Sequence, residues 1–148
     1  PDSERAITVI DMHKPDQMYW YFGIAAALFA KLSEATGEGA FLDRASSVMA
    51  LFERCRGNVA GDDLTVGKVA YASVVMYRLT DDARYLDICR QCSENLIRSQ
   101  HADGYWSYQR RGDITEVNRS TMLDFCAELT VWCVEILKEL SAAAPTTA

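Results

Sequence analysis

The chain has 148 residues, 49% of them apolar, with 15 Lys and Arg against 21 Asp and Glu, for a net charge of −6. This composition predicts one globular domain with a substantial core and excludes a disordered chain, a collagen-like chain and a coiled coil. The acidic balance argues against nucleic-acid binding, which needs clustered Lys and Arg, and no apolar run reaches the roughly 20 residues that span a bilayer.

Apolar residues at helical spacing predict five helices and therefore an all-α fold. The approximate bounds are 15–35, 40–55, 65–79, 83–99 and 120–140. Pro15 suits the first turn of a helix, and Gly37 and Gly39 end that helix by allowing left-handed backbone. Asp63 and Asp81 are the expected N-caps of the third and fourth helices. Residues 141–148 are expected to form a frayed tail at the end of a single domain, 1–148.

The even-numbered helices are predicted to be amphipathic. The second has an apolar stripe of Phe41, Ala45, Val48, Met49 and Phe52, and the fourth one of Leu86, Cys89, Ser93 and Leu96. The odd-numbered helices are apolar on nearly every side, which is typical of helices that are buried all round. The fifth helix has no hairpin partner in this chain.

The first two helical hairpins are similar to each other. The segment that begins at Tyr21 reads YFGIAAALFAKLSEATGEGAFLDRA, and the segment 44 residues later reads TVGKVAYASVVMYRLTDDARYLDIC. When the two are aligned, Gly23 falls on Gly67 and Thr36 on Thr80. A repeated hairpin with one buried and one half-buried helix predicts an inner row of odd helices and an outer row of even ones. This arrangement is a partial α/α toroid; a plain up-down bundle and a solenoid of helix pairs are the alternatives.

The segment Leu96-x-x-x-Gln100-x-x-x-Gly104-x-Trp106 is similar to the later half of the QW motif of squalene-type cyclases. More widely, residues 19–108 resemble α/α-toroid enzymes, which include terpenoid cyclases, prenyltransferase β-subunits, sugar 2-epimerases and unsaturated glucuronyl hydrolases. The resemblance implies that Gln100 caps an outer helix and that Gly104 lets Trp106 fold back onto it. A complete toroid of this class has six hairpins, so the chain would supply about half a ring.

The resemblance has consequences for assembly and for chemistry. Half a ring implies either the C-terminal half of a larger chain or closure by a second copy or a partner chain. Gly61-Asp62-Asp63-Leu64 only distantly resembles the DxDD run with which class II cyclases protonate their substrates. The zinc ligands of prenyltransferases are absent at the proper spacing, and no metal or other cofactor is expected.

The long connections, 56–64 and 101–118, are expected at the same end of the domain as residues 1–14, and long loops on a rigid scaffold often carry a site. Acid/base and aromatic residues concentrate there. The candidate catalytic residues are Asp62, Asp63, Lys68 and Asp103, and the candidate ligand-binding residues are Tyr19, Trp20, Tyr71, Tyr105, Trp106 and Arg110.

Each candidate also has a structural explanation. Asp62 and Asp63 suit the cap of the third helix, and Asp103-Gly104 suits a tight turn. Lys68 could act as an acid, base or anion anchor in a closed bowl, or extend to water. Tyr71 could pack in the core, and Arg110 could bind an anion or remain solvated.

Five cysteines, an odd number in helical stretches, indicate reduced thiols and a cytoplasmic protein. Cys89 and Cys92 lie mid-helix, which favours packing over a metal site.

Three functions remain open. The first is an enzyme domain whose aromatic-lined bowl binds an apolar ligand, isoprenoid or polyketide-like, for acid/base chemistry such as cyclisation or isomerisation. The second is a carbohydrate-active epimerase or hydrolase, and the third is a non-catalytic module for assembly or recognition.

Overall fold

The computed structural model describes residues 9–15, 17–59, 63–106 and 119–143. These residues form five α-helices and no strand, which confirms the all-α class. The helices are α1 (Trp20–Thr36), α2 (Gly39–Cys55), α3 (Gly67–Thr80), α4 (Ala83–Arg98) and α5 (Arg119–Ala143). Two single 3₁₀ turns, Arg56–Asn58 and Leu64–Val66, lie in the connection between α2 and α3.

The start of α1 differs from the prediction. The helix begins at Trp20, and Pro15 lies in a bend before it. The buried Tyr19 hydroxyl donates hydrogen bonds to the carbonyls of Lys14 and Asp11, and these contacts fold the preceding segment back against the helix end. A tertiary contact therefore overrides the local preference of Pro15 for a first helical turn.

Both short turns depend on a residue in the left-handed conformation. Gly37 (φ 76°) ends α1 as predicted, and its N–H donates to the carbonyl of Ser33. Asp81 (φ 56°) ends α3, with its N–H 2.7 Å from the carbonyl oxygen of Tyr77. The prediction that Asp81 caps α4 is therefore wrong. Asp82 is the cap, and its carboxylate accepts a hydrogen bond from the N–H of Arg84 at 3.0 Å.

The helices form two rows. In the inner row α3 lies between α1 and α5, and in the outer row α2 packs on α1 while α4 packs on α3. Every residue of α3 from Val69 to Met76 except Tyr71 is buried, as expected for a helix with neighbours on three sides. The odd and even helices thus separate into two rows as the hairpin pattern predicts, whereas closure into a toroid stays a prediction. The prediction that every odd helix is buried all round is wrong for α1 and α5, which among the described helices have a neighbouring inner helix on one side only and expose residues such as Leu28 and Leu137.

Gly23 and Gly67, which are equivalent in the repeat, both lie where inner helices approach closely. A Cβ on Gly23 would be 2.5 Å from backbone atoms of Lys68 and Val69. A Cβ on Gly67 would contact Leu96 of α4 at 3.3 Å and Leu129 of α5 at 3.7 Å. The same repeat position therefore faces the next inner helix in both hairpins.

The buried faces of the outer helices agree with the prediction for α2 and deviate for α4. In α2, Ala45, Met49 and Phe52 are buried, and Phe41 and Val48 are partly exposed. In α4 the predicted Leu86 and Ser93 are only half-buried, because the helix turns another face inward, formed by Tyr85, Ile88, Cys89, Cys92, Asn95 and Leu96. Finally, α5 runs three residues into the predicted frayed tail.

Candidate functional site

Lys68 lies in the first turn of α3 and reaches both neighbouring inner helices. Its ammonium group forms an ion pair with Glu128 of α5 and lies 5.0 Å from the centroid of the Trp20 ring of α1. Only 15% of the Lys68 side chain is exposed. A half-buried cation held by a carboxylate and an aromatic face is stabilised by both Coulomb attraction and a cation–π contact.

Two further aromatic residues extend this contact along the inner face. The Trp132 indole N–H donates to Glu128 at 3.1 Å, and the Trp132 ring lies 5.4 Å from that of Tyr71 on α3. We call the five residues Trp20, Lys68, Tyr71, Glu128 and Trp132 the Lys68 cluster. It joins all three inner helices, and three of its members are residues that the sequence nominates.

Two members of the cluster, Glu128 and Tyr71, have shifted pKa values. Burial raises the pKa of Glu128, but hydrogen bonds from Lys68 and Trp132 outweigh it and hold the pKa below its usual value. Burial is also the main reason that the pKa of Tyr71 is raised. At neutral pH Glu128 is therefore a carboxylate and Tyr71 a neutral phenol.

A second set of charged residues joins the three inner helices near their C-terminal ends. The Glu139 carboxylate of α5 forms ion pairs with Lys31 of α1 and with Arg78 of α3, each at 2.6 Å. Glu34 of α1 forms ion pairs with Arg78 at 2.5 Å and with Lys31 at 3.2 Å. We call these four residues the Glu139 network. The Lys31–Glu139 pair joins α1 to α5 across α3. The first and the last helix of the inner row are therefore in contact on one side of α3.

The sequence analysis missed the Glu139 network, although one signal was present. Glu34 and Arg78 are 44 residues apart, and this is the offset of the repeat. Equivalent positions on neighbouring inner helices lie side by side, so opposite charges at such positions indicate a pair. Glu139 carries no comparable signal because α5 lies outside the matched hairpins.

Asp63 has a structural position. Its buried carboxylate accepts the backbone N–H of Thr65 at 2.9 Å and the Thr65 hydroxyl at 2.6 Å, and so caps the 3₁₀ turn that leads into α3. This is the capping role that the sequence offers as its structural explanation. The other two candidates in the connections, Asp62 and Arg110, lie outside the described residues.

The segment after α4 is a tight turn. The His101 N–H donates to the Tyr105 carbonyl at 2.9 Å, Gly104 has a φ of 86°, and the Tyr105 ring stacks on His101 with centroids 4.2 Å apart. Asp103 is exposed in this turn, and neither Asp103 nor Tyr105 shares a contact with the Lys68 cluster among those the structure describes.

Trp106 folds back onto α4, as the QW resemblance implies, but the polar groups are used differently. The buried indole N–H donates to the carbonyl of Leu96 at 2.9 Å and so satisfies a carbonyl of the last helical turn. Gln100 instead donates to the Gly104 carbonyl at 2.9 Å and holds the turn. Trp106 and Tyr19, both nominated for ligand binding, are thus buried side chains with partners inside the fold.

The described parts of the long connections lie at one end of the domain, as predicted. The Asn58 side-chain amide donates to the Met12 carbonyl at 2.6 Å and joins the α2–α3 connection to the N-terminal segment. Leu64 and Trp106 belong to one apolar cluster with Leu96 and Leu129. The Lys68 cluster begins at this same end, because Lys68 follows directly on the 3₁₀ turn.

The cysteines serve packing. Cys55, Cys89 and Cys92 are buried with free thiols, and burial raises the pKa of Cys92 to about 12. Among the described residues, no three His, Cys, Asp or Glu side chains are grouped to hold a metal ion.

An open groove of about 390 Å³ lies on the outer row between α2 and α4. Asp82 and Arg84 line it, and they are already paired with each other at 2.8 Å. The groove contains none of the predicted site residues, so we take the Lys68 cluster as the candidate site.

Comparisons of the chain with protein-family models, curated proteins and solved structures found no match. Within the described ranges, none of the helices combines the length and the apolar character needed to cross a membrane.

Proposed function

We propose that α1, α3 and α5 form one wall of the ligand-binding pocket of a toroid-type enzyme domain, and that the ligand has an apolar, isoprenoid or polyketide-like skeleton. The observation that carries the proposal is the convergence of Trp20, Lys68 and Tyr71 with Glu128 and Trp132. Pockets for such ligands combine aromatic walls with a few polar groups that fix orientation.

The aromatic residues provide the affinity in this proposal. Trp20 and Trp132 are both only partly buried, so part of each ring remains available for stacking. The faces of both rings attract cations as well as apolar surface, as the contact of Lys68 with Trp20 illustrates. A ligand with a flat unsaturated skeleton, or one that develops positive charge during cyclisation, matches this chemistry.

Lys68 provides the orientation. The hydrogen bonds that lower the pKa of Glu128 make it a weak base, so the pair suits binding more than proton transfer. A ligand carboxylate or phosphate could share the Lys68 ammonium group with Glu128. In this proposal, proton transfer falls to a group outside the Lys68 cluster. Of the acids that the sequence nominates in the connections, Asp103 shares no described contact with the cluster and Asp62 lies outside the described residues.

The test compares three small molecules: farnesol, its carboxylate analogue farnesoic acid, and D-glucuronic acid. Titrations are followed by tryptophan fluorescence and by the NMR signals of the Trp20 and Trp132 indole N–H groups. We expect saturable binding of both isoprenoids, about tenfold tighter for the acid, because a charged hydrogen bond contributes roughly 1.5 kcal/mol. D-glucuronic acid is expected not to bind.

Lys68→Met should remove the preference for farnesoic acid and leave farnesol binding unchanged. The matched control is Lys138→Met, because Lys138 is an exposed lysine of α5 whose partner, Glu135, lies on the same helix. The proposal fails if neither isoprenoid binds, or if Lys68→Met and Lys138→Met behave alike. Tighter binding of D-glucuronic acid would instead favour the carbohydrate-active alternative.

One observation favours a non-catalytic assembly module as the second candidate. The charges of the inner row are paired with one another, while large aliphatic side chains of α1 and α5 are exposed. Exposed apolar patches on a folded domain often mark protein interfaces. Failure of all three small molecules to bind, together with self-association, would support this candidate.

A further inference from the structure

The side of α5 that faces away from α3 is apolar and exposed. We call it the α5 flank; it comprises Leu123, Val131, Val134 and Leu137, and Leu123 and Leu137 are 64% and 62% exposed. At 100° per residue, Val134 lies roughly opposite Trp132 and Ile136, which pack toward α3 and the core. A helix with apolar residues on two opposite sides is suited to neighbours on both.

The same holds for α1 at the other end of the row. We call its exposed side the α1 flank; it comprises Tyr21, Ile24 and Leu28, and Leu28 is 56% exposed. Gly23, which faces α3 at close range, lies on the other side of the helix. Among the residues that the structure describes, the two flanks are therefore the two open ends of one row of three helices.

The repeat indicates what fits these ends. The operation that carries the first hairpin onto the second places α3 beside α1, and α5 occupies the corresponding place beside α3. Applied once more, it places a helix like α1 against the α5 flank. Such a contact joins two different surfaces, so it is heterologous, and it leads either to a closed ring or to an open filament.

The Glu139 network favours closure. Lys31 of α1 and Glu139 of α5 meet at 2.6 Å across α3, so the row bends toward that side. A row that bends consistently returns on itself after few copies.

We propose that two copies of this chain associate head to tail, with the α5 flank of each copy packed on the α1 flank of the other. The six inner helices then form one ring, and every exposed aliphatic residue of the two flanks is covered. This inference does not depend on the identity of the ligand.

The experiment measures the mass of the intact chain by size-exclusion chromatography with light scattering, between about 1 and 200 μM. We expect a dimer. Ile24→Glu and Leu137→Glu should each weaken dimerisation at least 100-fold, because each places a charge in both contacts of the ring. Leu51→Glu is the matched control, because Leu51 is a 39% exposed leucine of α2 and lies on neither flank.

An equimolar mixture of Ile24→Glu and Leu137→Glu distinguishes head-to-tail from symmetric pairing. One contact in the mixed pair has both flanks intact, so the mixture should dimerise more tightly than either variant alone. Dimerisation of Ile24→Glu at the native strength would show α5–α5 pairing and overturn the proposal, as would a native chain that stays monomeric at 200 μM. Should a variant lose helicity, Tyr21→Lys and Val134→Lys provide a second pair with the same expectations.

Discussion

Gly23 sets the distance between α1 and α3. A Cβ at this position would lie 2.5 Å from the Lys68 carbonyl carbon and the Val69 nitrogen, and both are backbone atoms that a rotamer change cannot move. Gly23→Ala should therefore lower the free energy of unfolding by about 3 kcal/mol, as overpacking of a close helix contact does. Urea unfolding followed by circular dichroism measures the change.

Gly39→Ala is the matched control for Gly23→Ala. Gly39 is the first residue of α2, and an added Cβ there would have no neighbour within 4 Å. Alanine restricts the unfolded chain, so this variant should gain up to about 1 kcal/mol. Equal effects of the two substitutions would contradict the close contact of α1 with α3.

Trp106 lies where the sequence predicts, but its hydrogen bond differs from the prediction. The sequence similarity predicts a tryptophan that folds back on an outer helix, and the buried ring does so. The hydrogen bond to Leu96 makes the indole the partner of a terminal carbonyl, a role that the resemblance assigns to Gln100. Spacing in the sequence thus identified the turn but not its hydrogen-bond donors.

At the scale of the element, α5 is attached to the other inner helices by ion pairs as well as by packing. Its largest helix contact is with α3, and Glu139 adds ion pairs to both α3 and α1. Glu139→Gln should cost roughly 2 kcal/mol, because Lys31 and Arg78 keep their charges and lose a buried carboxylate. Hydrogen exchange of residues 136–143 should accelerate more than that of α4.

The control for this prediction lies on the same helix. Glu135 pairs with Lys138 at 2.6 Å within α5, and exposed pairs three residues apart contribute little. Glu135→Gln should change the stability by less than about 0.5 kcal/mol. If Glu139→Gln is equally mild, the Glu139 network does not contribute to the attachment of α5.

The element boundaries show what local sequence rules can and cannot fix. Apolar periodicity and Gly37 place the helices to within a few residues, because these signals act inside one helix. The start of α1 is set by hydrogen bonds from Tyr19 to carbonyls five and eight residues earlier, which no propensity reports. At the second short turn two aspartates compete, and the one in the left-handed conformation cannot also be the cap.

For the whole molecule, acidic pH should remove stability. Hydrogen bonds and nearby cations hold the pKa of Glu34 below its usual value. Burial alone would raise the pKa values of Glu128 and Glu139, but their hydrogen bonds and nearby cations outweigh it and lower both. Because the unfolded chain binds these protons at higher pH than the folded one, the free energy of unfolding falls as pH drops below about 4.5. Stability from these groups is fully present above that pH.

Urea midpoints between pH 7 and pH 3 at constant ionic strength test this expectation. The native protein should lose stability steadily below about pH 4.5. Glu139→Gln should start lower and fall less steeply, because one proton-linked group is missing. Parallel curves for the two proteins would contradict the assigned role of Glu139.

The candidate site could be predicted only in part, because it forms only when the helices of the whole molecule pack together. Trp20, Lys68 and Tyr71 stand out within their own helices as aromatic or charged residues in apolar surroundings. Glu128, the partner of Lys68, and Trp132, the partner of Tyr71, lie some 60 residues further along the chain, and the pairing depends on how α5 packs against α3. A residue pattern can nominate each side chain, but only the arrangement of the helices decides which ones meet.

The central place of α3 has a consequence for how the chain acquires its structure. Each of the two hairpins is local in sequence and can form quickly on its own, whereas the α1–α3 and α3–α5 contacts close longer loops. Substitutions inside α3 should therefore slow folding, while substitutions on α5 should mainly speed unfolding. A ribosome-bound nascent chain that ends before α5 would then contain two folded hairpins, and the side of α3 that packs on α5 would be exposed.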